Sequence, residues 1–311
     1  MTTISTLAQQ ALMLSSLDQL KSQGVTLQGQ IASGLKSQDI SGLGLAAGRV
    51  ANLQGAVQHS QAFLDTIGTV QQRIQESSDV LSNIQSAVQK FEQLLPNGAY
   101  STNPNDLQSQ AKQLLSVIGD LLNTQDGSRY IFSGSLTATA PFDASGLPVP
   151  GSLGTAVNGA PPTGYYAGNS TAPQARVDDN FSVTYGITAD DPAIENVVRT
   201  LNFLANLPPG SPDPTNPADV ASVNQAADLI NQGIKGLQGL QGTLSMQSAA
   251  LNQVQQNHQD FINLAQSTVT NLESIDPATA ITQLNQVETN LQASYAAISG
   301  LQQMSLVNYL K

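Results

Sequence analysis

Two long stretches of this chain repeat apolar residues at steps of three and four positions. The first covers residues 63–95 and resumes over 107–121. In the second, from 237 to 275, residues lie seven apart and each has a partner three positions later. Such steps, sustained over several heptads, are typical of helices that pack along a coiled-coil-like seam. The pattern predicts a helical stem formed by an N-terminal and a C-terminal arm.

Proline divides the chain in the same way. None of the 15 prolines precedes Pro96, and none lies between Pro217 and Pro277. Because a proline inside a helix costs about 3 kcal/mol or more, the arms can be long helices and the middle cannot. We expect five segments: an N-terminal assembly helix and joint (1–44), N-terminal stem helices (45–129), a β-rich outer domain (130–216), a C-terminal stem helix (217–276) and a C-terminal assembly helix (277–311).

The middle segment has the features of a small β-rich insert on the helical stem. Short runs at 130–132, 175–177 and 181–187 predict strands, and alternation in the last places its apolar residues from Phe181 to Ile187 on one face. A short helix is predicted to begin with Pro192 at its first position. We expect the insert to hold its own small core. The fold class is therefore mainly α with a β-rich insert.

Both ends of the chain carry shorter apolar stripes whose opposite faces are mostly Gln, Ser and Asn. Isolated helices are marginal in water, and Gly24 and Gly29 each cost the first one about 1 kcal/mol. We expect ends that are weakly helical alone and become ordered when packed against other protein. Two ordinary helices of a monomeric bundle are the alternative. The predicted subunit-assembly interface consists of Leu7, Leu14, Leu17, Leu284, Leu291 and Ile298.

Four glycines spaced by three stand at the head of the C-terminal arm, at positions 233, 236, 239 and 242. Together they cost a helix about 4 kcal/mol relative to alanine. Three interpretations remain open. The helix start is frayed, or Gly236, Gly239 and Gly242 form a bendable stem joint, or another backbone comes close to this face.

Composition excludes several classes of function. The net charge of −11 argues against nucleic acid, because phosphates demand a basic surface. There is no cysteine, and the two histidines are His59 and His258, the second of which lies on the seam, where a polar residue sets register. The acidic pairs at 178–179 and 190–191 lack the spacing of a calcium loop and are predicted to be solvated turns. We expect no enzyme, no metal and no cofactor.

The hydropathy of the chain gives two further expectations. The sequence contains no run that approaches the about 20 apolar residues needed to cross a bilayer, so no membrane association is expected. The first residues, MTTISTLAQQALMLSSLDQLK, have no basic region, continuous apolar core or small-residue cleavage site. A cleavable secretory signal is not expected.

Three stretches carry a resemblance to a known family. DGSRYIFSGSLTATAPF (126–142) resembles the sequence that leads from stem to outer domain in flagellar hook–filament junction proteins of the hook-associated protein 3 (FlgL) type. LQASYAAISGLQQMSLVNYLK (291–311) is similar to that family's C-terminal end. Residues 28–54 resemble the N-terminal joint of the flagellin superfamily, although QDISGLG stands where an Asp-Asp-Pro motif is usual. The outer-domain entrance would then include Tyr130, Phe132, Gly134, Pro141 and Phe142.

The resemblance implies a secreted structural adaptor that acts outside the cell on the bacterial flagellum. Its partners would be copies of itself in a ring or helical assembly, another hook-associated protein on the hook side, and flagellin on the filament side. Export would use the flagellar type III apparatus, with a cytoplasmic export chaperone on the C-terminal helix. Flagellin itself, the bulk filament subunit, is the alternative, and a secreted coiled-coil translocator or adhesin is a third interpretation.

Overall fold

A computed structural model of the chain describes residues 2–95, 104–147, 163–208 and 210–309, without the side chains of 2–7, 9–10, 104, 163 and 301–309. The predicted turn at 96–104 lies almost wholly outside these residues. The helices described are α1 (Thr2–Ser33), α2 (Ala47–Glu92), α3 (Pro104–Leu122), α4 (Pro192–Ala205), α5 (Pro217–Glu273) and α6 (Pro277–Tyr309). The strands are β1 (Gln125–Asp126), β2 (Arg129–Tyr130), β3 (Gln174–Asp178) and β4 (Phe181–Thr184). The mainly helical fold with a small strand insert is confirmed.

The chain separates into two compact units. The terminal unit comprises residues 1–59 and 260–311, and the central unit comprises residues 60–259. Both α2 and α5 contribute residues to each unit. The bounds of the five segments expected from the sequence are not tested by this division and stay a prediction.

In the terminal unit, α1 packs against α6. The two helices run antiparallel, because Leu35 bridges Ser274, Gly24 faces Val287, and the Lys21 ammonium lies 5.8 Å from the ring centroid of Tyr295. After α1, a 3-10 helical segment at Ile40–Ala46 leads into α2 and is kinked at Gly44, whose φ is 59°. A positive φ of this kind favours glycine.

The central unit contains the predicted seam. Helices α2 and α5 run antiparallel: the Gln71 side-chain amide donates to Asn252 Oδ1 at 2.7 Å, and that of Asn231 donates to Glu92 Oε1 at 3.4 Å. Residues at the expected positions are buried along α2 from Ile67 to Phe91. On α5, Leu237, Leu244, Leu251 and His258 are buried at the predicted spacing of seven. The heptad pattern thus locates this core correctly.

The strands of the insert differ from the prediction in two details. The run expected at 130–132 is a strand only as far as Tyr130, and it pairs as the short hairpin β1–β2. In the antiparallel pair β3–β4, a bulge between Arg176 and Asp178 shifts the register. Phe181 is 45% exposed, whereas Val183, Tyr185 and Ile187 are buried. The expectation of one buried face is wrong for Phe181, which is the first residue of β4 and directly follows the exposed turn at 179–180.

The insert shares its core with the stem. One continuous cluster of buried residues includes Ile67 of α2 and Leu251 of α5 as well as Phe132, Tyr165 and Val177 of the insert. The expectation of a separate small core is therefore wrong. The insert residues that the structure describes close the side of the helical stem.

Candidate assembly surface and insert entrance

The terminal helix pair has one closed seam. Leu17 is only 4% exposed, and Leu27, Ala280 and Val287 are buried with it. A side chain at Gly24 would begin 3.6 Å from Val287 Cγ1, at ordinary van der Waals distance, so Gly24 faces α6 in this seam. The sequence predicts Leu17 as part of this surface, but the small residues Gly24 and Ala280 do not stand out in a pattern of large apolar residues.

The same helices leave apolar residues open to solvent. Leu14 is 50% exposed, and Leu12, Val25 and Tyr295 are more exposed than that. Leu284, Leu291 and Ile298 are half-buried, and the side chain of Leu7 lies outside the described residues. Asp18, Lys21 and Glu288 are the charged residues of α1 and α6. Of the predicted interface residues whose side chains are described, Leu17 is therefore closed into the seam and Leu14 is open to solvent. The exposed apolar residues of the two helices are here called their open face.

At the insert entrance, Asn123 at the end of α3 holds Phe142. Its side-chain oxygen accepts from the Phe142 backbone N–H at 2.9 Å, and its amide donates to the Phe142 carbonyl at 3.0 Å. The Phe142 ring packs on α3 at Gly119, where a side chain would begin 2.6 Å from ring atom Cε1. On its other side, Phe142 lies 5.6 Å from the buried ring of Tyr165. Neither Gly119 nor Asn123 was singled out from the sequence, because their partner is remote in the chain.

The other predicted entrance residues lie where the chain from 130 to 141 passes close to residues 167–169 and 189. Phe132 is fully buried, and its carbonyl accepts from the Ala189 N–H at 3.0 Å. Gly134 has a φ of 66°, and a side chain there would collide with the Asn169 carbonyl, so this position requires glycine. Buried Pro141 accepts from the Ala167 N–H at 3.1 Å, and the Tyr130 N–H donates to the Thr137 carbonyl at 2.9 Å.

Two polar contacts fasten the insert to the stem helices. Arg73 of α2 donates through Nε to Asp126 at 2.9 Å and through Nη1 to the Tyr185 hydroxyl at 3.0 Å. The hydrogen bond to Asp126 is the main reason why the pKa of Arg73 is raised. On α5, His258 Nε2 donates to the Val177 carbonyl at 2.9 Å while its ring stacks on Phe63. His258 thus fills a seam position and anchors β3.

A buried acidic group lies at the start of α4. Asp191 caps the helix by accepting from the Ala193 N–H at 2.9 Å, and Ser170 donates to Asp190 at 2.5 Å. The prediction of solvated turn carboxylates is wrong for this pair, because both side chains are half-buried and hydrogen-bonded within the chain. Burial raises the pKa of Asp191. Glu195 is 7% exposed; burial raises the pKa of its carboxyl, while Arg199 opposes that shift. Burial also raises the pKa of Tyr165, whose hydroxyl donates to the Ala189 carbonyl.

The glycines of α5 fall into two pairs within an uninterrupted helix. A side chain at Gly233 would begin 2.6 Å from Val197 Cγ2, and one at Gly236 would begin 2.5 Å from Ala193 Cβ. This pair therefore lets α4 approach closely, which agrees with the interpretation that another backbone comes close to this face. Around Gly239 and Gly242 no atom lies within 4 Å of such a side chain. The bendable joint stays a prediction for these residues.

The described part of the chain offers no group of three or more His, Cys, Asp or Glu side chains that could hold a metal ion. Among the same residues, no helix is both long and apolar enough to span a bilayer. The polar groups described above bind other parts of the chain. The features that remain for function are the open face of α1 and α6 and the exposed surfaces of the insert.

Comparisons with known proteins agree with this arrangement. Residues 227–310 match the bacterial flagellin C-terminal helical region. Flagellar hook-associated protein 3 of Escherichia coli (strain K12) is 27% identical, over 91% of this chain and 91% of that protein. The protein of the same name from Salmonella typhimurium is 24% identical, over 94% and 95%. A solved flagellar hook-associated protein from Vibrio parahaemolyticus shares the fold, with a TM-score of 0.53 at 13% identity, covering 73% of this chain and 98% of that one.

The helical stem with its small strand insert is a flagellin-like structural fold. These matches confirm the resemblance to FlgL-type hook-associated proteins that the sequence indicates. The curated relatives are named as flagellar proteins and not as enzymes. The chain is accordingly a flagellum-associated structural protein.

Proposed function

We propose that this protein is an adaptor at the junction between the hook and the filament of the bacterial flagellum. It acts outside the cell after export without a cleaved signal. Copies of the chain assemble in a ring or helix through α1 and α6. Another hook-associated protein binds on the hook side, flagellin assembles on the filament side, and an export chaperone holds the C-terminal helix before secretion.

The observation that carries this proposal is the open face of the terminal helix pair. One seam is closed inside the chain, yet Leu14, Val25 and Tyr295 remain largely exposed on the same two helices. Exposed apolar surface of this kind marks contact with other proteins. With a net charge of −11, copies of the chain repel one another, and contact through two helices that together hold only three charged residues reduces that repulsion.

Paired substitutions of leucine test the proposed assembly. Leu14→Ala with Leu291→Ala removes apolar area from the open face, where truncation of a leucine buried in an assembly costs about 2–5 kcal/mol. The isolated chain should melt as the parent does, because Leu14 is half exposed and Leu291 is only half-buried. We expect near-normal secretion and filaments that detach from the hook or fail to start, scored by motility and electron microscopy.

The matched control is Gln28→Ala with Gln292→Ala, since both glutamines are exposed on the same two helices. It should leave motility unchanged. Immunogold labelling of intact flagella locates the protein: a single band at the base of the filament supports the adaptor. Labelling along the whole filament would instead identify the protein as the bulk subunit, flagellin, and would contradict the junction proposal.

A further inference from the structure

The connectors after α1 and before α6 form a compact network, here called the clamp, made by residues 34–36 and 272–276. Lys36 N–H donates to the Glu273 carbonyl at 2.7 Å, and Ile275 N–H donates to the Gly34 carbonyl at 3.0 Å. Leu35 therefore lies opposite Ser274 as a non-hydrogen-bonded antiparallel pair, flanked by these two bonds. This short ladder joins two segments that are far apart in sequence.

Lys36 also caps the C-terminus of α5. Its ammonium donates to the Leu272 carbonyl at 2.7 Å, across a separation of 236 residues. The last carbonyls of a helix have no partner within it, and the last turn of α5 contains no basic residue of its own. A cation at this position is favoured by the helix dipole. One residue of the N-terminal connector thus satisfies two carbonyls at the end of α5.

The clamp is fastened to α1 and α6 as well. The Gln30 side-chain amide of α1 donates to the Lys36 carbonyl at 2.6 Å, and Gly34 ends that helix with a φ of 73°. On the other side, Asp276 caps α6 by accepting from the Ala278 N–H at 3.1 Å and from the Thr279 hydroxyl at 2.5 Å. Only residues 274–276 separate α5 from α6, so the ladder fixes where α6 begins.

We infer that the clamp makes the ordering of α1 and α6 mutually dependent and thereby controls whether the assembly face is presented. Each helix is marginal alone, and their shared seam is narrow. With the clamp closed, the two helices are held in the register that buries Leu17 and Val287; with it open, each loses its partner. This role rests on the proposed function, since it is the regulation of the same surface.

Hydrogen exchange measured by mass spectrometry on the full-length monomer tests the coupling. Lys36→Met keeps the length of the side chain but removes its charge and its donor. We expect exchange to accelerate in peptides of both α1 and α6 by about tenfold or more, as the loss of a charge-assisted hydrogen bond implies. Peptides from 220–259 should keep their protection. Lys235→Met, on the exposed surface of α5, is the matched control and should change neither helix.

A disulfide supplies the converse variant. The chain has no cysteine, so Leu35→Cys with Ser274→Cys introduces the only thiols. Opposed residues of such a non-hydrogen-bonded pair have Cα atoms about 4.5 Å apart, at the short end of the range that a disulfide spans. Added to Lys36→Met, the oxidised pair should restore protection to both helices, and its reduction should remove it again.

The inference fails if Lys36→Met changes exchange only within residues 30–37 and 270–276. It also fails if one terminal helix loses protection while the other keeps it, or if the oxidised pair does not restore the two together. These measurements use the monomer and involve no flagellum. A failure of the coupling is therefore distinguishable from a failure of the junction role, which immunogold labelling tests independently.

Discussion

The terminal and central units are built from the same kind of amphipathic helix but cover its apolar stripe to different extents. In the central unit, the apolar stripe of α2 is covered on several sides by α5, α3 and the insert, so Ile67, Leu81 and Ile84 are fully buried. In the terminal unit, α1 and α6 cover each other along one seam and leave Leu12 and Val25 in solvent. A heptad pattern therefore identifies a packing surface but not whether the partner belongs to the same chain.

The largest expected difference between the units concerns global stability. Ile84→Ala creates a cavity in the closed core and should lower the free energy of unfolding by about 2–5 kcal/mol. Leu17→Ala, at a seam residue of the terminal unit, should loosen the pairing of α1 and α6 and leave the main unfolding transition in place. Urea denaturation followed by circular dichroism measures the first effect, and limited proteolysis measures the second. Equal shifts of the main transition would mean that both units unfold together.

A smaller effect is expected from two glycines on one helix. Gly236→Ala places a methyl group against Ala193 Cβ and should destabilise the central unit by about 1–3 kcal/mol through overpacking. Gly239→Ala enters open space and should stabilise α5 by up to about 1 kcal/mol through helix propensity. Thermal melting of the two variants tests whether the substitutions change stability in opposite directions. Destabilisation by both would show that a second close contact exists at Gly239.

The smallest expected effect is a pH dependence confined to the central unit. Burial raises the pKa of Glu195, so between the ordinary glutamate pKa and this raised value the folded state binds more protons than the unfolded state. Stability contributed by this group is lost as pH rises through that window. Glu195→Gln should therefore raise the melting temperature slightly at neutral pH and flatten its pH profile.

The control for this measurement is Glu288→Gln, at an exposed carboxyl on α6 of the terminal unit. Its melting profile should follow that of the parent chain across the same pH range. An unchanged profile for Glu195→Gln would show that the Glu195 carboxyl titrates alike in the folded and unfolded chains.

The sequence predicted the elements whose signal is periodic and local. Spacing of seven located Leu237, Leu244 and Leu251 in the core, and Pro192 marked the start of α4. Phe181 was misplaced because the alternation of apolar residues does not show that the end of β4 next to the turn at 179–180 is left uncovered. The cap formed by Asp191 was mistaken for a solvated turn, since its burial depends on the remote residues that cover it.

The details of the candidate surfaces depend on contacts across long stretches of chain. Asn123 holds Phe142, Arg73 reaches Asp126 and Tyr185, and Lys36 reaches Leu272. Polar residues of these types are frequent on any helix or loop, and nothing local distinguishes the ones that have a distant partner. The seam between α1 and α6 was predicted only in part, because small residues such as Gly24 and Ala280 complete it.

The hydrogen bond from His258 to Val177 constrains how the length of this protein can change during evolution. Removing seven residues from α5 between Leu237 and His258 would preserve the phase of the seam. It would nevertheless displace His258 by about 10 Å along the helix from the carbonyl of Val177. A heptad lost from α5 must then be matched by one lost from α2 and by a shift of the insert hairpin. Among homologous chains, insertions and deletions in these three places should occur together.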